Sequence, residues 1–326
     1  AERAQELESL RTAAQTAATD IDGVDSAMVV LTGERKAGDV SAQPVRPTQP
    51  TPQASGAPSK TGIPGIQSII AVASGKGGVG KSTTSVNLAL GLQQQGLKVG
   101  ILDADIYGPS LPRLLAITQR PTADGRILNP IKKYGLTVMS IGFLVEEESP
   151  MIWRGPMVIS ALTQMLREVS WGELDVLVVD MPPGTGDAQL TMAQQVPLAG
   201  AVIVSTPQDI ALIDARKGSN MFKKVEVPIL GLIENMSTFI CPKCGERTDI
   251  FGHGGAREEA AKMAVPFLGE VPLHMDIRTN SDAGTPIVEA QPDGPHAQAY
   301  VDIARGVISS LNDPQSQKSA PKIVFE

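Results

Sequence analysis

The sequence predicts an α/β protein built on a doubly wound, mostly parallel sheet, preceded by a partial small α+β segment. Three observations carry this expectation. Short, continuous apolar runs recur from residue 66 to 312, amphipathic stretches separate them, and a glycine-rich loop directly follows the first run. Runs that are continuous rather than alternating mark strands covered on both faces. Regular strand–helix alternation builds parallel crossovers. The expected strands are residues 69–73, 99–102, 138–141, 176–179, 201–205, 229–233 and 266–271. The expected helices are 82–95, stopped by Gly96, then 158–169, 188–195, 214–225 and 255–263.

Ahead of this region, Ala4, Leu7, Leu10, Ala14, Ala17 and Ala18 fall at helical spacing, and residues 26–31 read as a short strand. A piece below about 40 residues rarely buries a core alone. Residues 1–35 are therefore expected to be the back end of a small domain. Residues 36–64 are rich in Pro, Ala, Ser, Gln and Thr and read as a flexible linker. Residues 65–315 form the expected globular domain and 316–326 a tail.

Across all 326 residues the net charge is −7, the wrong sign for neutralising phosphate backbones or anionic membranes. No apolar run nears the roughly 20 residues that span a bilayer. The first residues lack the basic-then-apolar order of a signal peptide. The expectation is a cytoplasmic protein with no nucleic-acid or membrane partner. Its two cysteines are Cys241 and Cys244. So close a pair in a reducing compartment reads as a metal or redox site rather than a structural disulfide.

Gly75-Lys76-Gly77-Gly78-Val79-Gly80-Lys81-Ser82-Thr83 has the G-x-x-x-x-G-K-[ST] spacing of a P-loop. Several backbone N–H groups must meet phosphate oxygens together, so the chain curls through conformations that a Cβ would obstruct, and the next helix adds its positive end. Lys81 supplies charge to the β and γ phosphates of ATP, and Ser82 is placed to ligate Mg²⁺. Asp180 closes an apolar strand and opens Met181-Pro182-Pro183-Gly184-Thr185-Gly186-Asp187. A carboxylate at that edge completes a Mg²⁺ environment, and Gly184 can turn its N–H toward a γ phosphate. Asp103 and Asp105 follow another strand, either to orient an attacking water or to cap a turn.

Lys76 is unusual. GKGGVGKST resembles the deviant Walker A loop of the ParA, MinD and nitrogenase iron protein superfamily. That resemblance implies an ATP-dependent sandwich homodimer in which Lys76 reaches the partner's nucleotide. The stretches 102–110, Trp153-Arg154-Gly155-Pro156 and 180–187 narrow the resemblance to the Mrp (ApbC-type) iron–sulfur carrier ATPases, over about residues 66–312. It implies Asp105 as the switch I aspartate that positions water, Asp180 as the Walker B aspartate, and Asn235 of Glu234-Asn235-Met236-Ser237 as an adenine contact. Lys76, Lys81 and Asp105 are then the catalytic set of a slow ATPase. The segment 1–35 resembles the end of a small iron–sulfur assembly domain.

Cys241-Pro242-Lys243-Cys244-Gly245 offers two thiolates, half of the four that tetrahedral zinc or an iron–sulfur cluster takes. A second subunit supplies the rest in a symmetric dimer. The resemblance implies a bridging [4Fe–4S] cluster passed to apo-proteins, with scaffold proteins as further partners. Structural zinc or a thioredoxin-like redox couple are the other readings of the pair. His253 reads as a solvated loop histidine outside the site. Two other functions compete with the carrier. A MinD- or ParA-like positioning ATPase calls for a basic amphipathic end, which residues 316–326 lack. A reductase like the nitrogenase iron protein resembles this chain less, because that family's cysteines lie far apart. Trp153, Arg154 and residues 109–134 are either a docking surface or core and cover.

Overall fold

The computed structural model describes residues 8–19, 62–144 and 155–313. Residues 1–56 and 57–326 form separate compact units. Among the described residues the first shows the helix α1 (Glu8–Thr19), inside the predicted helical stretch. The strand expected at 26–31, most of the 36–64 linker, Trp153 with Arg154, and the 316–326 tail lie outside the described residues. Ile63, at the linker's end by sequence, is instead 6 % exposed and part of the second unit's core.

In the second unit, β1 (Ile66–Ala73) leads through the glycine-rich loop into α2 (Lys81–Gln94). Then follow β2 (Val99–Asp103), the short helix α3 (Leu111–Leu114), the hairpin β3 (Thr122–Asp124) and β4 (Ile127–Asn129), β5 (Ile131–Lys133) and β6 (Leu136–Ser140). The next run is α4 (Gly155–Arg167), β7 (Leu174–Asp180), α5 (Asp187–Gln195), β8 (Gly200–Ser205), α6 (Asp209–Lys224) and β9 (Ile229–Asn235). A two-stranded ribbon, β10 (Phe239–Ile240) and β11 (Arg247–Thr248), precedes α7 (Gly255–Met263) and β12 (Phe267–Val271). The described residues end with α8 (Met275–Asp282), α9 (Ile287–Ala290) and α10 (Pro295–Asn312).

The expected sheet is the sheet observed, with eight strands in the order β12-β9-β8-β1-β7-β2-β6-β5. All pairings are parallel except β5 with β6 at one edge. The short β5 was not anticipated, since three residues carry too little pattern. Helix α6 begins five residues before the expected 214, a start the sequence pattern hides because Ile210 and Ile213 near it are exposed and break the apolar stripe. Helices flank the sheet, with α2 against α10 and α4, α5, α6 and α7 each packed on the next. A Cβ on Gly91 of α2 would stand 3.0 Å from the Tyr300 carbonyl oxygen of α10, so the missing side chain sets how closely these helices approach.

The order of strands matters most at β7. It lies between β1 and β2, with Val72 beside Asp180 and Asp103 also beside Asp180. Parallel alignment therefore brings the phosphate loop, Asp180 and the 103–110 loop to the same sheet edge. The strand's centre is Leu177, fully buried between Ile69 and Gly100. Leu177→Ala is expected to cost about 3 kcal/mol of unfolding free energy through lost burial and an uncollapsed cavity. Urea titration checks this, and a loss under about 1 kcal/mol would show that the centre repacks.

Candidate functional site

The curl of the phosphate loop is set by glycine. Gly78 and Gly80 take φ of +84° and +80°, the left-handed region. A Cβ on Gly80 would also stand 2.2 Å from Nδ2 of Asn235. That amide donates to the Val79 carbonyl oxygen at 2.8 Å, tying the end of β9 to the loop. On the other side, a Cβ on Gly75 would lie 2.1 Å from the Asp214 carbonyl of α6. The Ser74 hydroxyl donates to the Lys76 carbonyl at 2.9 Å, and the Gly184 N–H donates to the Ser74 carbonyl at 3.0 Å. Gly184 must release that bond before its N–H can meet a phosphate. Ser82 and Thr83 are half-buried in the first turn of α2, and Val79 is buried beneath the loop.

Lys81 is 6 % exposed and Asp180 fully buried. The ammonium meets Asp180 Oδ1 at 2.7 Å and the Ser82 hydroxyl at 3.2 Å. Ser85 donates to the same Oδ1, also at 2.7 Å. Oδ2 of Asp180 is buried without a hydrogen-bond partner among the described residues. An unpartnered buried carboxylate oxygen is costly, and with the Ser82 hydroxyl nearby it offers the hard oxygen donors that a hydrated Mg²⁺ accepts. The residues present therefore fit the ion.

The two aspartates of the 103–110 loop separate in role. Asp103 accepts the N–H groups of Asp105 (3.1 Å), Ser110 (3.0 Å) and Leu111 (3.1 Å) and the Ser140 hydroxyl (3.0 Å), so it is the turn cap. Burial, and then the neighbouring Asp180, push its pKa up to about 7 against those hydrogen bonds. Asp105 faces a cavity of about 320 Å³ shared with Tyr107, Pro182 and Pro183. Burial raises its pKa, with Lys81 pulling the other way. Lys76 is exposed at the loop's outer rim. Asn235, expected at adenine, is engaged here with the phosphate loop.

Cys241 and Cys244 sit at the tip of the β10–β11 ribbon, the first half-buried and the second exposed. The Cys241 N–H donates to the Glu246 carbonyl and the Gly245 N–H to the Cys241 carbonyl, both at 2.9 Å, with Gly245 at φ +73°. This tight turn points the N–H groups of Cys244 and Lys243 at the Cys241 sulfur. Those two, then the Cys244 thiol, lower its pKa. Backbone donors around a thiolate are the setting of a metal-binding sulfur.

Sequence reasoning missed what anchors this ribbon. Glu234, fully buried, accepts from Ser237 Oγ at 2.6 Å, Gly254 N–H at 2.9 Å and Ala256 N–H at 2.8 Å. His253, expected to be merely solvated, places Nδ1 3.0 Å from Ser237 Oγ. Glu270 lies alongside and pairs with Arg257 at 3.0 Å. The carboxylates of Glu234 and Glu270 are already committed, so this cluster closes the base of the cysteine loop. A glutamate directly after the apolar run 229–233 gave no signal of that role.

The family model described as ParA, NUBPL iron-transfer P-loop NTPase, matches residues 65–308. An iron–sulfur cluster transfer protein NUBPL of Dictyostelium discoideum is 56 % identical over 274 residues, covering 82 % of this chain and 85 % of that one. An iron–sulfur cluster carrier protein of Haemophilus influenzae is 57 % identical over 251 residues, covering 76 % and 68 %. Among solved structures, a nucleotide-binding protein of Archaeoglobus fulgidus in complex with ADP, with cobalt found, aligns with a TM-score of 0.62 and 43 % identity over 70 % of this chain and 90 % of that one.

The loop geometry makes a sharp prediction. Gly80→Ala adds a methyl at φ +80° and into the Asn235 amide, and is expected to weaken ATP binding at least about tenfold. Calorimetric titration with a non-hydrolysable ATP analogue measures it, and unchanged affinity would mean that the loop tolerates the methyl and its curl is not what holds phosphate.

Proposed function

This chain belongs to the NUBPL iron-transfer P-loop NTPase family, and from that membership we propose that it binds and hydrolyses ATP and carries an iron–sulfur cluster to apo-proteins. The observation that carries the reading is the Cys241–Cys244 turn, whose thiolate-favouring geometry projects from the same sheet edge as the phosphate loop. The family relatives named as cluster carriers and transfer proteins support it.

Two sulfurs leave a cluster iron-deficient in ligands, so the cargo is held between two copies of the chain, as a [4Fe–4S] cluster with four thiolates. Lys76, exposed at the rim, is the residue free to cross that interface. Within one copy, Lys81 and the loop's N–H groups hold the β and γ phosphates, and Asp105 accepts a proton from the attacking water. Mg²⁺, held through Ser82 and the Asp180 side chain, supplies charge neutralisation on the phosphates. Asn235, in reach of the nucleotide loop, is the adenine contact. The protein's partners in this reading include scaffold proteins. A reducing compartment, the cytoplasm in this reading, suits exposed thiols. Among the described residues no helix is long and apolar enough to cross a membrane.

Anaerobic reconstitution with iron and sulfide tests the cargo. Wild type is expected to take up about four irons per dimer and turn brown, and Cys241→Ala to take up almost none. Equal, negligible iron in both, or a colourless zinc-loaded dimer, defeats the carrier reading. The sandwich is tested separately, because Lys76→Ala should keep ATP affinity and lose at least about tenfold in hydrolysis. Equal turnover with and without Lys76 removes the trans role of that residue.

A further inference from the structure

Cys241 and Cys244 are the chain's two cysteines, and both are free thiols. The Gly245 N–H, donating to the Cys241 carbonyl at 2.9 Å, closes a tight turn around them. Residues three apart in such a turn hold their Cα atoms within about 7 Å, inside the span that a disulfide bridges without moving the backbone. The Cys244 thiol is hydrogen-bonded to the Cys241 sulfur, so the two sulfurs already face each other. No third thiol in the chain competes for either one.

Access separates the two. Cys244 is exposed and Cys241 half-buried, so a small disulfide arriving from solvent meets Cys244 first. Backbone bonds shape the loop: the Cys241 N–H on the Glu246 carbonyl, and the pairing of Phe239 with Thr248 and of Ile240 with Arg247. The ribbon therefore keeps its register whether or not the sulfurs are bonded to each other. A disulfide that is exposed and closes so short a loop is of the labile kind that exchanges with the surrounding thiol pool.

We propose that the empty pair is a reversible dithiol–disulfide couple, closed by a low-molecular-weight disulfide such as oxidised glutathione, and that the closed form takes no metal. The Cys244 thiol gives its proton to solvent and its sulfur attacks one sulfur of the oxidant, whose S–S bond breaks as one glutathione thiolate leaves. The Cys241 thiol then gives up its proton, its sulfur attacks the Cys244 sulfur of the mixed disulfide, and the second glutathione thiolate leaves. Both leaving thiolates take up protons, so the pair is oxidised by two electrons and the oxidant is reduced to two thiols. With the sulfurs bonded to each other, neither remains as the thiolate that binds metal. A reducing thiol pool holds the site open, and an oxidising one shuts it. This gate rests on the metal reading of the pair given above.

The full chain, cleared of metal with a chelator and desalted without air, is incubated with excess oxidised glutathione, alkylated with iodoacetamide and weighed intact. The expected product is an unlabelled monomer two hydrogens lighter than the reduced chain, while Cys241→Ser retains one glutathione on Cys244. A lasting glutathione adduct or an unreacted dithiol in the wild type, a disulfide-linked dimer as its main product, or no adduct on Cys241→Ser overturns the couple. Cobalt(II) then reads the gate, through the charge-transfer band of its thiolate bonds, without a reductant that would reopen the disulfide. The oxidised chain is expected to show less than about a tenth of the reduced chain's band, and to regain it once dithiothreitol has been added and removed by desalting. No band in the reduced chain sinks the metal reading and this gate together, whereas equal bands before and after closure sink the gate alone.

Discussion

A lysine ammonium and an aspartate oxygen 2.7 Å apart, both inaccessible to solvent, set the terms for the rest of the structure. Burying such a pair is worthwhile only where further hydrogen bonds complete it. Ser85 and Ser82 do so on one side, and Asp180 Oδ2 is left over on the other. The pair exists because β7 is threaded between β1 and β2, so that Asp180 ends level with Val72 and Asp103. A different strand order would separate lysine from aspartate, and neither could then stay charged in the core. Topology and electrostatics are thus one constraint, and the glycine curl between β1 and α2 is what lets the lysine reach back.

The same constraint reaches the cysteines through consecutive residues of β9. Asn235 is bonded to the Val79 carbonyl of the phosphate loop. Glu234, its neighbour, gathers Ser237 from one leg of the cysteine loop and the Gly254 and Ala256 amides from the other. Ser237 is also held to β12 through its N–H on the Val271 carbonyl at 3.0 Å. A loop stapled at its base can expose its tip without losing register, and here the tip holds the thiols. Rigidity below and exposure above are what a site needs if it must present ligands in a defined geometry yet release what they hold.

Much of this was legible in the sequence, for reasons that differ by feature. The parallel strands were readable because burial on both faces leaves continuous apolar runs, as in residues 176–179. The phosphate loop was readable because its spacing is dictated by the ligand. Asp105 was separable from Asp103 only in three dimensions, since both follow the same strand and their difference lies in which backbone N–H groups each meets. The ribbon flanking the cysteines, two residues per strand, is too short for any periodicity. Glu234 was invisible for a deeper reason. It acts through backbone amides that the sequence does not mark, and a polar residue of this kind looks the same in a solvated turn.

Exposure of the thiol pair bears on the proposed metal site. Structural sulfur sites are closed by four ligands from one fold and sealed by apolar neighbours. Here Ile240, next to Cys241, is half-exposed, and Cys244 is exposed. The pKa of Cys241 is lowered by N–H groups of its own turn rather than by a buried cation, so the thiolate is favoured without a permanent counter-charge that would compete with metal. On the proposed reading, a thiol pair that is accessible and supplies only half of a ligand set gains its missing partners by meeting another molecule. In the proposed carrier, two identical copies would assemble a cluster site in that way, and an acceptor with thiols of its own would open a path by ligand exchange, sulfur by sulfur. Loading and delivery would then be the same reaction in this proposal, its direction decided by which second surface lies against the turn.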